Sequence, residues 1–185
     1  IDRAPNGELI VTAVAQYCEK PESRLRVLDA GCGTGLCGPS LRTYAKELIG
    51  IDLSTQMLQR AFERGCYDDF ELVELSAYLH ACETPFDLIV CADTLCYFGR
   101  LDGVFAGVAH ALATSGRFVF TLEASPADVA DEYRLWPHGR YSHKRSYLEQ
   151  SAADAGLALV SVSENELRKE NLASVRGYVV VAALA

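Results

Sequence analysis

The sequence contains no apolar stretch long enough to cross a membrane. Its longest apolar runs, residues 88–92 and 178–185, are far shorter than the ~20 residues that a membrane helix needs. It also lacks the basic segment followed by an apolar one that a secretion signal would have, so we expect a cytoplasmic protein with no membrane partner. The first residue is Ile1 rather than Met, as expected if the chain is the C-terminal part of a longer protein.

Positive charge is scarce. Seventeen Lys and Arg residues stand against 25 Asp and Glu residues, which gives a formal net charge of −8 and a sequence pI near 5.0. Such a chain has no overall field that attracts phosphate backbones, so we expect no nucleic-acid partner. The sequence leaves the oligomeric state open.

No Cys-x-x-Cys pair occurs. The seven cysteines are an odd number, and most of them lie in apolar or motif contexts. This pattern favours free thiols in a reducing compartment over disulfides or zinc ligands. We therefore predict no metal site.

Hydrophobic residues make up 50% of the 185 residues and charged residues 23%, which predicts a single folded domain over residues 1–185. From residue 26 onward, short apolar runs alternate with helix-compatible segments. The predicted strands are 27–30, 48–51, 70–75, 86–92 and 117–122, and the predicted helices are 36–45, 54–64, 77–82 and 102–112. This alternation is typical of a three-layer α/β fold with a mostly parallel, doubly wound sheet.

Two segments fall outside this alternation. Residues 1–25 contain a predicted helix, 7–19, and are interpreted as an N-terminal helical cap. Residues 124–145 are polar and aromatic, are interrupted by Pro126 and Pro137, and are predicted to form a substrate loop. A helix over 146–155 and two strands, 157–162 and 175–183, follow as an edge hairpin, with the charged residues 164–171 between the strands.

A glycine-rich turn follows the first predicted strand. It reads Asp29-Ala30-Gly31-Cys32-Gly33-Thr34-Gly35 and leads into a predicted helix, an arrangement that lets a ligand approach the main chain closely. The glycine spacing is G-x-G-x-G, whereas a dinucleotide fingerprint needs its third glycine at the position of Leu36. The spacing therefore disfavours a nicotinamide-dependent oxidoreductase.

Two acids accompany this turn. Asp29 would repel a diphosphate but could pair with an ammonium group. Asp52, at the end of the second predicted strand, is placed to accept hydrogen bonds from ribose hydroxyls. Together with the glycines, the two acids indicate a nucleoside ligand.

From Arg24 to the C-terminus the sequence resembles the class I S-adenosylmethionine-dependent methyltransferases, whose first motif is similar to residues 29–35 almost letter for letter. The resemblance implies a seven-stranded Rossmann-like sheet with strand order 3-2-1-4-5-7-6 and an antiparallel strand 7. It implies S-adenosyl-L-methionine as the cofactor, S-adenosyl-L-homocysteine as its product, and a small-molecule or protein methyl acceptor. Residues 39–52, 92–99 and 137–141 also look similar to methyltransferase domains at the C-terminus of tetratricopeptide-repeat proteins.

The resemblance also implies cofactor contacts. The methionine end would lie against Asp29 and the glycine turn, and the ribose against Asp52. The adenine would lie between Leu53 and Met57, with its amino group at Glu74. Backbone groups would complete the site, and Arg3 and Tyr17 would close over it. The implied cofactor-binding residues are Asp29, Gly31, Cys32, Gly33, Gly35, Asp52, Leu53, Met57, Glu74, Leu75 and Cys91.

The acceptor side carries fewer motifs. Amino-directed members of the family have Asn-Pro-Pro-Tyr after the fourth strand, where this sequence has Ala92-Asp93-Thr94-Leu95, which argues against an amide-type acceptor. Arg134 and Arg140 could bind an acidic group, and Tyr97 and Phe98 could wall the pocket. A non-catalytic, cofactor-binding regulatory or scaffold domain is the alternative function. The candidate general bases are His138, Tyr141 and His143.

Overall fold

A seven-stranded sheet forms the centre of the computed structural model, which describes residues 5–18, 22–170 and 173–185. Its strand order is β3-β2-β1-β4-β5-β9-β8. The first five strands of the chain pair in parallel, and β9 pairs antiparallel with both β5 and β8. The strands are β1 (Leu25–Ala30), β2 (Ala45–Asp52), β3 (Asp69–Leu72), β4 (Phe86–Cys91), β5 (Leu112–Glu123), β8 (Leu157–Glu170) and β9 (Ala173–Leu184).

This topology confirms the predicted order 3-2-1-4-5-7-6, since β8 and β9 are the sixth and seventh strands of the sheet. Two short strands, β6 (Tyr133–Leu135) and β7 (Tyr141–His143), form a separate antiparallel pair. The helices are α1 (Pro5–Tyr17), α2 (Gly38–Leu41), α3 (Thr55–Phe62), α4 (Leu75–His80), α5 (Asp102–Ala111) and α6 (Arg145–Asp154).

Both faces of the sheet are covered. On one face, Leu28 packs in a cluster with α4, α5 and α6. On the other face, its neighbour Val27 packs with Ile10 and Val14 of α1. Successive strand residues point to opposite faces, so the continuous apolar runs of β1, β2 and β4 are those of strands buried on both sides. Within the described residues, no helix is both long and apolar enough to span a membrane.

Several predicted boundaries were wrong. The predicted helix 36–45 is only the short α2, because β2 begins at Ala45. β3 ends at Leu72 rather than at residue 75, and β5 begins at Leu112 rather than at 117, with an irregular register before Arg117. The charged residues 164–170 continue β8 along β9, so that the edge hairpin is longer than predicted.

The predicted loop 124–145 is partly ordered by hydrogen bonds. β6 and β7 are joined by a turn in which Trp136 N–H donates to the Arg140 carbonyl over 2.9 Å, and Gly139 takes a φ of +85°. Ser125 N–H donates to the His143 carbonyl over 2.9 Å, which attaches β7 to the end of β5. The segment therefore forms a small hairpin beside the carboxyl edge of the sheet.

Candidate functional site

A cavity of about 680 Å³ opens at the carboxyl ends of β1, β2 and β4. β1 has β2 on one side and β4 on the other. From β1 the chain builds the sheet outward through β2 and β3, and then crosses back to add β4 on the opposite side of β1. Ligands of open α/β sheets bind at such a switch point. The lining includes the glycine turn, the end of β2, the start of α4 and the segment after β4.

The glycine turn is shaped by positive φ angles and by a close neighbour. Gly31 has a φ of +73°, and a Cβ atom there would lie 2.3 Å from Oγ1 of Thr94. The N–H groups of Gly31 and Cys32 both donate to the Ile51 carbonyl over 2.9 Å. The turn is thereby held between the ends of β2 and β4, with its backbone against the cavity.

The Asp52 side chain connects the glycine turn to α3. Its Oδ2 accepts a hydrogen bond from Gly33 N–H over 3.0 Å, and its Oδ1 accepts one from Ser54 N–H over 2.9 Å. Ser54 in turn caps α3 by accepting from Met57 N–H. Asp52 also lines the cavity, so the same carboxylate that holds the turn is available to hydroxyl donors of a ligand.

Asp29 is a buried carboxyl group in the wall of the cavity. Its side chain is only 2% exposed, and its Oδ2 accepts a hydrogen bond from the Tyr67 hydroxyl over 2.6 Å. Burial raises the pKa of Asp29 to about 6, the Tyr67 hydrogen bond opposes that rise, and the nearby Asp52 charge adds to it. A bound cation would stabilise the ionised form of Asp29.

The segment after β4 forms the other end of the cavity. Tyr97 and Phe98 line it, and Tyr97 is 58% exposed. Asp93, which also lines it, has a φ of +55°, an uncommon conformation for a residue other than glycine. This end therefore combines an aromatic wall with a constrained carboxylate.

Two arginines hold Asp93 in place. Arg140, from the β6–β7 turn, donates to Asp93 Oδ1 over 2.8 Å, and Arg168, from β8, lies 3.3 Å from the same atom. Arg168 also donates to the buried Glu123 over 2.7 Å and to Glu170 over 2.8 Å. Carboxylate and thiol atoms of Asp93, Cys96 and Glu123 lie within 4.8 Å of one another, but the guanidinium groups already neutralise these acids.

Comparisons with known proteins agree with this geometry. The family model described as "Methyltransferase domain" matches residues 4–162. This chain belongs to that family. An O-methyltransferase of ubiquinone biosynthesis from Bordetella parapertussis is 36% identical over 151 residues, which cover 71% of this chain and 61% of the relative. A relative of the same name from Thiobacillus denitrificans is 30% identical over 80% of this chain and 72% of its own length.

The methyltransferase domain thus spans about three fifths of the length of the Bordetella relative. Solved structures share its fold. An S-adenosylmethionine-dependent methyltransferase from Mesorhizobium loti has a TM-score of 0.74 at 24% identity, over 96% of this chain and 99% of that one. Magnesium protoporphyrin IX methyltransferase from Synechocystis, solved with bound cofactor, has a TM-score of 0.72 at 17% identity, over 98% and 80%. The Synechocystis enzyme was solved with S-adenosylmethionine, the cofactor that the sequence predicts.

Most of the predicted cofactor residues of the methyltransferase domain lie around one cavity. Among the described residues that line it, Gly35 and Cys91 are absent. Gly35 N–H donates to the Cys32 carbonyl inside the turn, and Cys91 is buried. Arg3 lies outside the described residues, and Tyr17 packs against the core under α1. The residues of the prediction that do line the cavity are Asp29, Gly31, Cys32, Gly33, Asp52, Leu53, Met57, Glu74 and Leu75.

Glu74 has a second contact that the sequence analysis did not include. It precedes α4 instead of ending β3, and its two carboxylate oxygens accept from Ser76 N–H over 2.9 Å and Ala77 N–H over 2.8 Å. Glu74 therefore caps a helix as well as lining the cavity. A capping carboxylate retains lone pairs that can accept from a further donor.

The three candidate bases of the methyltransferase domain do not line the cavity as the described residues define it. His138 is exposed in the β6–β7 turn. His143 is completely buried, and its Nε2 donates to the Gly99 carbonyl over 2.9 Å. Tyr141 packs beside it. Of the three candidates, His138 is the exposed one.

Sequence reasoning missed two contributors to the site. Tyr67 lies in the polar stretch between α3 and β3, and no motif marks it. Arg168 lies in the charged segment that was predicted to separate two strands. Charged residues are common on edge strands, so the charged run that follows the predicted strand 157–162 could have indicated that this strand continues to Arg168.

Proposed function

We propose that this domain transfers a methyl group from S-adenosyl-L-methionine to a hydroxyl group of a small aromatic acceptor. The observation that carries the proposal is the aromatic wall at the end of β4, where Tyr97 and Phe98 line the cofactor cavity and Tyr97 is largely exposed. Such a wall stacks with a planar acceptor. The relatives named as O-methyltransferases of ubiquinone biosynthesis support oxygen as the acceptor atom.

The residues present fit the proposed cofactor. Asp52 can accept from both ribose hydroxyls, and Leu53 and Met57 offer exposed apolar surface beside it for the adenine. Asp29 supplies a negative charge for the methionine ammonium group in a wall where a diphosphate would be repelled. When bound, the sulfonium supplies an electrophilic methyl group.

The domain contributes alignment to this reaction. Methyl transfer is an in-line displacement, so holding the acceptor oxygen against the methyl carbon accounts for much of the rate. In the proposed arrangement the glycine turn and Asp52 fix one reactant, and Tyr97 and Phe98 orient the other. Arg140 and Arg168 fix Asp93 between the two ends.

A base is needed where the acceptor hydroxyl is protonated, and we propose His138 for that role because it is the exposed candidate in the turn from which Arg140 reaches Asp93. Tyr141 and His143 support the hairpin that carries it. In this proposal His138→Ala lowers turnover and leaves S-adenosyl-L-homocysteine affinity unchanged, whereas the control His110→Ala, on α5, leaves both unchanged. Equal turnover in the two variants would exclude His138 as the base.

The acceptor class is tested with methyl-labelled S-adenosyl-L-methionine. Catechol, 1,2-diaminobenzene and benzenethiol present a hydroxyl, an amine and a thiol on the same ring, and we expect label in the methyl ether alone. Label in the amine or thiol product, or in protein from an added lysate, would contradict the proposed acceptor. Cofactor binding without transfer to any of these would favour the non-catalytic alternative.

Two organisational features also remain proposals. We propose that residues 1–185 form one domain in which 1–25 cap the cofactor and 124–145 contact the acceptor, supported by Gly7 of α1 in the cavity lining and by Arg140 beside Asp93. We also propose that the chain is part of a longer protein with tetratricopeptide repeats, a proposal supported by the resemblance of residues 39–52, 92–99 and 137–141 to methyltransferase domains of such proteins. Sequencing the coding region upstream of Ile1 tests this proposal, which predicts tetratricopeptide repeats there.

A further inference from the structure

We propose that Tyr67 is a positioning residue for the cofactor: its hydroxyl fixes one carboxylate oxygen of Asp29, so that the other oxygen meets the ammonium group at the methionine end. The inference rests on the proposed function, since it requires that cofactor in the cavity. It adds a residue to the site that neither the glycine motif nor the comparisons assign.

The Tyr67 ring is held rigidly in the position from which it reaches Asp29. The residue lies between α3 and β3, and its ring packs against that of Phe70 with centroids 4.8 Å apart. On its other side lies Gly38, where an added Cβ atom would come within 2.5 Å of the ring. The absence of a side chain at Gly38 therefore makes room for Tyr67, and the hydroxyl reaches Asp29 at 2.6 Å.

The second carboxylate oxygen of Asp29 is left for a ligand. Oδ2 accepts from Tyr67, and the side-chain hydrogen bonds among the described residues include none to Oδ1. Asp29 lines the cavity, and among the described residues no Lys, Arg or His forms an ion pair with it. A buried carboxylate with no cation beside it is costly unless a ligand supplies one.

The charges around Asp29 make its pairing sensitive to pH. Asp52 and burial both raise its pKa, and the Tyr67 hydroxyl opposes them. Burial and the nearby Asp29 charge raise the pKa of Tyr67 itself, so Tyr67 remains a donor. The thiols that interact with Asp29 also have raised pKa values and stay neutral; they are Cys32, Cys37, Cys66 and Cys91.

Calorimetric titrations at pH 5.5 to 8 test this role. The two ligands are S-adenosyl-L-homocysteine, which carries the ammonium group, and 5′-deoxy-5′-methylthioadenosine, which has the same nucleoside without the amino-acid part. The proteins are the wild type, Tyr67→Phe and the control Tyr78→Phe. Tyr78 is a partly buried tyrosine that packs near Phe86, away from the cavity.

For the wild type we expect S-adenosyl-L-homocysteine affinity to fall as the pH drops below about 6. The reason is that protonated Asp29 cannot accept an ion pair. In Tyr67→Phe the fall should begin at a higher pH, because the hydrogen bond that favours the ionised form is gone. A displacement of one pH unit gives about tenfold weaker binding at the acidic end, whereas at pH 8 only the loss from the carboxylate that Tyr67 no longer positions remains. Methylthioadenosine should bind all three proteins alike at every pH.

Two results would overturn the inference. One is an unchanged pH profile in Tyr67→Phe. The other is an equal loss of affinity for both ligands at every pH, which would show a purely structural role. Asp29→Asn, a nearly isosteric second variant, should lose the pH dependence without losing methylthioadenosine. Failure of the wild type to bind either ligand would instead contradict the proposed function, and the inference would fall with it.

Discussion

The Asp52 carboxylate at the end of β2 accepts a hydrogen bond from the backbone N–H of Gly33, over 3.0 Å. One side chain thereby fixes the glycine turn and lines the cavity in which the cofactor is proposed to bind. Its other oxygen accepts from Ser54 N–H, at the start of α3. Loss of this carboxylate would therefore disturb both the ligand contact and the turn.

We expect Asp52→Ala to lower S-adenosyl-L-homocysteine affinity by about 30-fold or more, which corresponds to ~2 to 4 kcal/mol for the lost hydrogen bonds to two ribose hydroxyls. Isothermal titration calorimetry of the variant and the wild type measures this affinity. Glu83→Ala removes the same charge from an exposed position outside the cavity lining and should leave affinity unchanged. Affinity of Asp52→Ala equal to that of the wild type would refute the ribose assignment.

Gly31→Ala and Gly33→Ala form a matched pair. Both glycines have positive φ angles, +73° and +54°, but an added Cβ would meet Thr94 only at Gly31, and nothing lies within 4 Å at Gly33. We expect Gly31→Ala to reduce both the melting temperature and S-adenosyl-L-homocysteine affinity more than Gly33→Ala does, because steric overlap adds to the backbone strain. Equal effects of the two substitutions would show that the Thr94 contact is unimportant.

We expect the ion pairs of Arg168 to contribute more to the free energy of unfolding than the exposed pair Arg176–Glu164 of the same β8–β9 hairpin. Arg168 and Glu123 have side chains 13% and 7% exposed, whereas Arg176 and Glu164 are 61% and 58% exposed. Arg168→Met leaves the buried Glu123 carboxylate without one of its cations, so we expect a loss of roughly 3 kcal/mol in unfolding free energy. Arg176→Met should cost less than about 1 kcal/mol. Urea unfolding of the two variants measures both losses. Similar losses would show that the ion pairs of Arg168 contribute no more to stability than an exposed pair does.

His143 predicts a pH dependence of stability. Burial lowers the pKa of this histidine below its ordinary value of 6.5, so the unfolded chain binds a proton there before the folded one does. Unfolding free energy should therefore fall as the pH drops below 6.5, by at most about 1.4 kcal/mol per pH unit, until the folded pKa is reached.

In His143→Gln the amide can still donate to the Gly99 carbonyl but does not titrate. We expect its unfolding free energy to fall less than that of the wild type between pH 7.5 and 5.5. Parallel curves for the two proteins would mean that His143 is not the group responsible.

Much of the fold follows from local sequence pattern. The apolar runs of β1, β2 and β4 are buried on both faces, which produces a signal that does not depend on neighbours. The extension of β8 over residues 164–170 carried no such signal, because this edge strand has one side exposed and Arg168 pairs with Glu123, which lies 45 residues away in the chain. The β6–β7 pair was hidden for a similar reason, since its strands have only three residues each.

The contacts of the candidate site also fall into those that local sequence pattern predicts and those that depend on tertiary structure. Asp29 is the penultimate residue of β1 and Asp52 the last of β2, and the two strands are adjacent and parallel, so the proximity of the two acids follows from strand order. The Tyr67 contact depends on a tertiary detail, the space above Gly38, which no periodicity encodes. Arg140 and Arg168 lie 47 and 75 residues from Asp93, and only the folded hairpins bring them to it.

The most direct test of the account is a calorimetric titration of the wild-type domain with S-adenosyl-L-homocysteine, with NADH as the comparison ligand. We expect one binding site for S-adenosyl-L-homocysteine and no heat of binding for NADH, because the G-x-G-x-G turn and Asp29 do not suit a diphosphate. Binding of NADH alone, or of neither ligand, would contradict the cofactor assignment on which the proposed function rests.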